Sequence, residues 1–99
     1  MSLSITIDHA RIVEFCRRNH VCRLSFFGSV LRDDFGPASD VDVLVEFEPE
    51  ATVGYFSMSR MEQELTDLFG RQVDMRTPKE LSRYFRDQVV ADAQEEYVA

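Results

Sequence analysis

The sequence is short of cysteine, of basic residues and of long apolar runs, and each shortage removes a class of protein. Its two cysteines, Cys16 and Cys22, are too few and wrongly spaced for a disulfide framework or a CxxC site. They read as reduced core thiols of a cytoplasmic protein. No apolar stretch approaches the ~20 residues needed to span a bilayer. The segment from Met1 to Asp8 lacks the basic start and apolar core of a signal peptide. Against 18 Asp and Glu stand only 11 Lys and Arg, a net charge of −7. Such a surface repels nucleic acid, which is held by Lys and Arg neutralising phosphates, and it disfavours membrane adsorption. Small anions bridged by metal ions stay compatible with it, as does a basic protein partner. There is no repeat, low-complexity tract or linker, no GxGxxG turn and no Walker phosphate loop.

What is present suits one domain spanning residues 1–99: the chain is 44% hydrophobic, with eight Phe to fill a small core. A helix is predicted from about His9 to Asn19, with Asp8 as N-cap and Ile12, Phe15 and Cys16 inward. Val21 to Phe27 reads as a strand ending at Gly28, followed by a short helical segment from Ser29 to about Asp33. Gly36 to Ser39 is a turn by composition. From Asp40 to Phe47 the alternation is clean: Val41, Val43, Val45 and Phe47 share one face, and Asp40, Asp42, Leu44 and Glu46 the other.

A second long helix, from about Gly54 to Phe69, carries Met58, Met61, Leu65, Leu68 and Phe69 as its apolar stripe, with Gly70 as a C-terminal stop. Arg71 to Arg76 reads as a strand with Val73 and Met75 inward and Asp74 on the opposite face. Thr77-Pro78-Lys79-Glu80 has the form of a capping box. It predicts a last helix with Leu81, Tyr84, Phe85 and Val89 on one side, continuing toward Tyr97, whose hydroxyl is expected to be exposed. Strands joined by helices give an α/β (α+β) fold, a small mixed β-sheet with helices packed on it.

The chemistry concentrates in Gly28-Ser29, ten intervening residues, and Asp40-Val41-Asp42. Asp40 and Asp42 project from one strand face about 7 Å apart at their Cα atoms. Their charges repel, and a cation between them relieves that; hard carboxylate oxygens select Mg²⁺ or Mn²⁺. Ser29, opening a helix after a flexible glycine, suits a phosphate, and Arg32 falls on the same side of that first turn. Asp74 can join the pair if its strand is a neighbour, as a metal ligand or as acceptor of a proton from an attacking hydroxyl. Other uses of a DxD pair fit poorly. Aspartate-nucleophile phosphatases place it after an apolar strand, whereas here the apolar run follows. An EF-hand loop needs a central Gly and a terminal Glu that are not in register.

These residues resemble the DNA polymerase β-like nucleotidyltransferase superfamily. The stretch from Gly28 to Pro49 looks specifically like the minimal nucleotidyltransferases (MNT proteins), and Val73 to Pro78 followed by Leu81 to Tyr84 matches the same group's C-terminal part. The resemblance implies a nucleotidyltransferase core that uses Mg²⁺, two ions with nucleotide bound, and a nucleoside triphosphate. It further implies an antitoxin of the type VII kind, paired with a HEPN-domain toxin and silencing it by moving AMP from ATP onto a tyrosine. Carried over by position, Asp40, Asp42 and Asp74 are the metal ligands and catalytic carboxylates, and Gly28 and Ser29 hold the triphosphate. Relatives often carry Arg directly after Gly-Ser, and here that position is Val30; either Arg32 supplies the charge or triphosphate binding is weaker.

Two functions follow: transfer of AMP to the partner within a hetero-oligomer, or neutralisation by binding alone, the acidic surface masking a basic groove. Phe35, Tyr55 and Phe56 are the candidate partner-facing residues. His9 and His20 read as surface residues.

Overall fold

The computed structural model describes residues 8–28, 40–84 and 86–99. The short helical segment expected after Gly28 and the turn at Gly36 lie outside the described residues, as do Ser29, Val30, Arg32, Phe35 and Phe85.

Helix α1 (His9–Arg18) starts as its sequence dictates, with the Asp8 carboxylate accepting from the amides of Ala10 and Arg11. Ile12, Phe15 and Cys16 are buried at helical spacing, and Arg17 and Arg18 occupy the last turn, where the helix dipole favours cations. Arg18 reaches across to ion-pair with Glu64. Asn19 closes the helix by donating from its amide and side chain to the Phe15 carbonyl. His20, at φ 59°, turns the chain into β1 (Val21–Phe27).

Strand β1 pairs antiparallel with β2 (Val41–Phe47), and β2 pairs parallel with β3 (Val73–Arg76). This is the expected mixed sheet. Between β2 and β3 lies α2 (Tyr55–Phe69), opened by Gly54 and stopped by Gly70 in the left-handed region at φ 69°. Met61 and Leu65 of its stripe are buried; Met58, Leu68 and Phe69 pack part-buried on the same core. That core lies on one sheet face, where Leu24 and Phe26 of β1 meet Val41, Val43 and Val45 of β2, Val73 and Met75 of β3, and both helices.

β3 is an edge strand, and two side chains of α2 satisfy its outward amides. Val73 N–H donates to Thr66 Oγ1 at 3.1 Å and Met75 N–H to Glu62 Oε2 at 2.9 Å. This keeps the edge from offering itself to another strand.

The C-terminal part departs from the expectation. The capping box at Thr77 and Glu80 forms, but it opens only a 3₁₀ turn (Pro78–Glu80), after which Leu81 is extended at ψ 147°. A separate helix, α3 (Arg86–Asp92), follows, and then a strand, β4 (Gln94–Val98), not foreseen from the sequence. β4 pairs antiparallel with the free edge of β1, giving the order β3-β2-β1-β4. Gln and Glu are good helix formers, and the segment reads as helical in isolation. The unpaired edge of β1 overrides that preference by supplying backbone partners, with Ala99 N–H donating to Cys22 O at 2.8 Å. Tyr97 is consequently part-buried against the core rather than exposed, and Tyr84, expected inward, is 85% exposed.

Candidate active site

The face of the sheet turned away from the core carries Asp42 and Asp74. Because side chains alternate along a strand, burying Val41 and Val43 turns Asp42 to the opposite face, where it is half-buried. Asp40, one step before β2 begins, is exposed. In the parallel β2–β3 register Asp42 stands directly beside Asp74, flanked by the buried pairs Val41 with Val73 and Val43 with Met75. The two carboxylates therefore project from the same face of adjacent strands. Tertiary pairing gathers residues that lie 32 positions apart in the chain.

The end of β1 approaches the same point. Its last residue, Phe27, pairs with Asp42, and Gly28 follows at φ 74°. A Cβ built on Gly28 would fall 2.3 Å from Oδ2 of Asp42. Glycine is needed here twice over, for its backbone angle and for the space the carboxylate occupies. The other two residues expected to hold phosphate, Ser29 and Arg32, lie outside the described residues.

Asp74 has a partner that sequence reasoning missed. Arg76, two residues on and so on the same face, sets Nε 3.1 Å from Asp74 Oδ1 and donates from Nη2 to Oδ2 at 3.3 Å. A third nitrogen, Nη1, is 3.9 Å from Glu80 Oε2. The period-2 spacing of Asp74 and Arg76 was the available signal. Among the described residues, no three His, Cys, Asp or Glu side chains already stand together as a metal-binding group. The register aligns Asp42 and Asp74, but both Asp74 oxygens point to the guanidinium.

A groove of about 550 Å³ adjoins Asp74, between the start of α2 and the end of β3. Phe47, Tyr55 and Met58 line it together with Glu62, Asp74 and Arg76. Of these, Tyr55 is 82% exposed, and its ring meets that of Phe56, 84% exposed, edge to face at 6.3 Å. Across the sheet the order is thus glycine turn, Asp42, Asp74. Arg86 donates to the carbonyls of Lys79 and Leu81, tying the 3₁₀ turn to the start of α3.

Elsewhere on this face Arg23 bridges Glu46 at 3.5 Å and Glu95 at 3.2 Å, linking β1 to both neighbours. His9 and His20 are exposed, as expected, and lie against Glu96 and Glu48. Cys16 is fully buried, and loss of solvent pushes its thiol pKa up to about 12. Among the described residues, no helix is long and apolar enough to cross a membrane.

A mixed sheet with a glycine turn against one strand aspartate and a second aspartate beside it is the framework of a nucleotidyltransferase fold. Solved structures agree. A structure described as a "putative minimal nucleotidyltransferase" superposes with a TM-score of 0.71 at 32% identity, covering 86% of this chain and 85% of its own. A toxin–antitoxin structure with AMP-PNP has a TM-score of 0.74 at 20% identity, covering 94% of this chain and 75% of its own. A complex of tri-AMPylated Shewanella oneidensis HEPN toxin with its MNT antitoxin gives 0.65 at 20% identity, covering 92% and 70%.

The nucleotidyltransferase domain family model matches residues 9–99, and the chain belongs to that family. Its reaction class is therefore nucleotidyl transfer, with a nucleotide as substrate. Among curated proteins it is 29% identical over 83 residues to a Methanocaldococcus jannaschii protein named "putative protein adenylyltransferase", covering 84% of this chain and 87% of that one.

Proposed function

We propose that this nucleotidyltransferase moves AMP from ATP onto a hydroxyl, a tyrosine, of a HEPN-domain toxin and acts as its antitoxin. The observation that carries the reading is the parallel register that sets Asp42 beside Asp74, with Gly28 against Asp42. The adenylyltransferase relative supports AMP as the transferred group, and the folds shared with an AMP-PNP complex and with an AMPylated HEPN complex support ATP and the partner.

The donor set fits Mg²⁺: carboxylate oxygens only, with Oδ2 of Asp42 seated in the space that a side chain at position 28 would fill. Asp40, Asp42 and Asp74 would hold it, and when bound it supplies charge neutralisation for the phosphates and the leaving oxygen. Gly28, with Ser29 and Arg32 after it, binds the triphosphate through backbone amides and one cation. The groove that Asp74 lines admits the acceptor, with Tyr55 on its wall and the neighbouring Phe56 as docking residues. Asp74 accepts the proton as the acceptor oxygen attacks the α-phosphorus and pyrophosphate leaves.

The test incubates the chain with labelled ATP, Mg²⁺ and its HEPN partner. Label on a partner tyrosine, lost with Asp42→Asn, is the expected result; no label, or label that survives the substitution, overturns the reading. A second reading rests on the net charge of −7: neutralisation by masking a basic toxin surface, without catalysis. Neutralisation by the Asp40→Asn, Asp42→Asn, Asp74→Asn triple variant at one-to-one stoichiometry would favour it.

A further inference from the structure

We propose that Arg76 is a positioning residue of the site, a resident cation that holds Asp74 until a divalent ion takes its place and that then faces the nucleotide's phosphates. This rests on the assignment of Asp42 and Asp74 given above and adds a residue to it. Asp42 and Asp74 are direct neighbours on strands that lie about 4.8 Å apart, so two like charges share one face. A sheet tolerates that arrangement when a cation is close. Arg76 is that cation, engaging both oxygens of Asp74 through two nitrogens of its planar fork. It comes from the same short strand and the same face, paired in register with Leu44, which is only 3% exposed.

Two consequences follow. Guanidinium and metal ion compete for the same carboxylate oxygens, so a divalent ion alone binds weakly. Once Asp74 turns to the ion, the guanidinium is left facing the anion that arrives with it, and Glu80 at 3.9 Å keeps it at the rim of the groove. Metal and nucleotide therefore bind cooperatively, each strengthening the other by the same factor. Lys cannot replace this role fully, because it lacks the fork that spans both oxygens.

The experiment measures Mn²⁺ binding by electron paramagnetic resonance on the intact chain, with and without AMP-PNP. The proteins compared are wild type, Arg76→Gln, Arg76→Lys and Asp42→Asn. Arg76→Gln is expected to bind Mn²⁺ alone about twofold to fivefold more tightly, the size a half-exposed ion pair permits. The strengthening of Mn²⁺ binding by AMP-PNP is expected to shrink by at least as much, with Arg76→Lys between the two. Unchanged or weaker Mn²⁺ binding by Arg76→Gln, with the AMP-PNP effect intact, overturns the proposal while leaving the site standing. Equal Mn²⁺ affinity of wild type and Asp42→Asn removes the site itself, and the role of Arg76 with it. If Arg76→Gln does not fold, Arg76→Lys decides on the same two measurements.

Discussion

Gly28 makes room for the carboxylate of Asp42: a Cβ at position 28 would lie 2.3 Å from Asp42 Oδ2 and force that side chain to move, and the backbone sits at φ 74°. Gly28→Ala should therefore cost about 1–2 kcal/mol in backbone strain alone and push Asp42 off its position. Urea denaturation should show that loss. Nucleotidyl transfer should fall further than stability does, by roughly a hundredfold, because misplacing a reacting group by about an ångström is worth that much.

Asp42 and Asp74 are like charges placed side by side by the register. Asp42→Asn removes one of them without removing a buried apolar contact. Its stability should stay within about 1 kcal/mol of wild type, while transfer drops by at least ~100-fold. A loss of activity matched by an equal loss of fold would show that Asp42 is structural.

Glu62 is placed to protect the sheet edge rather than to react. Its carboxylate accepts the Met75 amide at 2.9 Å. Glu62→Ala leaves that part-buried donor without its partner and should destabilise by about 1–3 kcal/mol. Analytical ultracentrifugation should also show more self-association, since the outer edge of β3 then has a free amide.

Cys16 carries a pH signature. Its thiol is pushed from the ordinary 9.0 up to about 12 by burial. Between those values the unfolded chain has lost the thiol proton and the folded chain has kept it, so the unfolded state binds fewer protons. Stability from this group is complete below pH 9 and declines as pH rises toward 12, at up to about 1.4 kcal/mol per pH unit. Cys16→Ser, followed by chemical denaturation from pH 8 to 11, should flatten that part of the profile. At pH 8 a thiol reagent should label Cys22, which is half-buried, well before Cys16.

Tyr55 and Phe56 are over four-fifths exposed, so replacing both with Ser should leave the melting temperature nearly unchanged. Affinity for a HEPN toxin, the partner proposed above, measured by calorimetry, should fall by about tenfold or more, as it does when exposed aromatic anchors at interfaces are removed. Unaltered affinity would move the docking surface away from this groove.

Much of this protein was legible in its amino acids because the relevant signals are local. The alternation from Val41 to Phe47 needs only the strand's period of two, and it set Asp42 on the face opposite the buried valines, although Leu44 on that same face is buried too. Asp8 as N-cap, the Met61–Leu65 stripe and the left-handed Gly70 are likewise properties of a few adjacent residues. The same locality explains the errors. The capping box at Thr77 formed as written, yet the helix it announced ended after one turn. Gln94 to Val98 became a strand because an unpaired edge of β1 stood ready to bond it, which no feature of those five residues reveals. The site divides in the same way. Chain order alone determined that Asp40, Asp42 and Asp74 lie on polar faces and that Gly28 ends a strand. Only the parallel register of β2 and β3 decided that Asp42 stands beside Asp74, and only that closeness gives Arg76 a charge to balance. Proximity between distant residues is a property of strand pairing, and it exists only once the chain has folded.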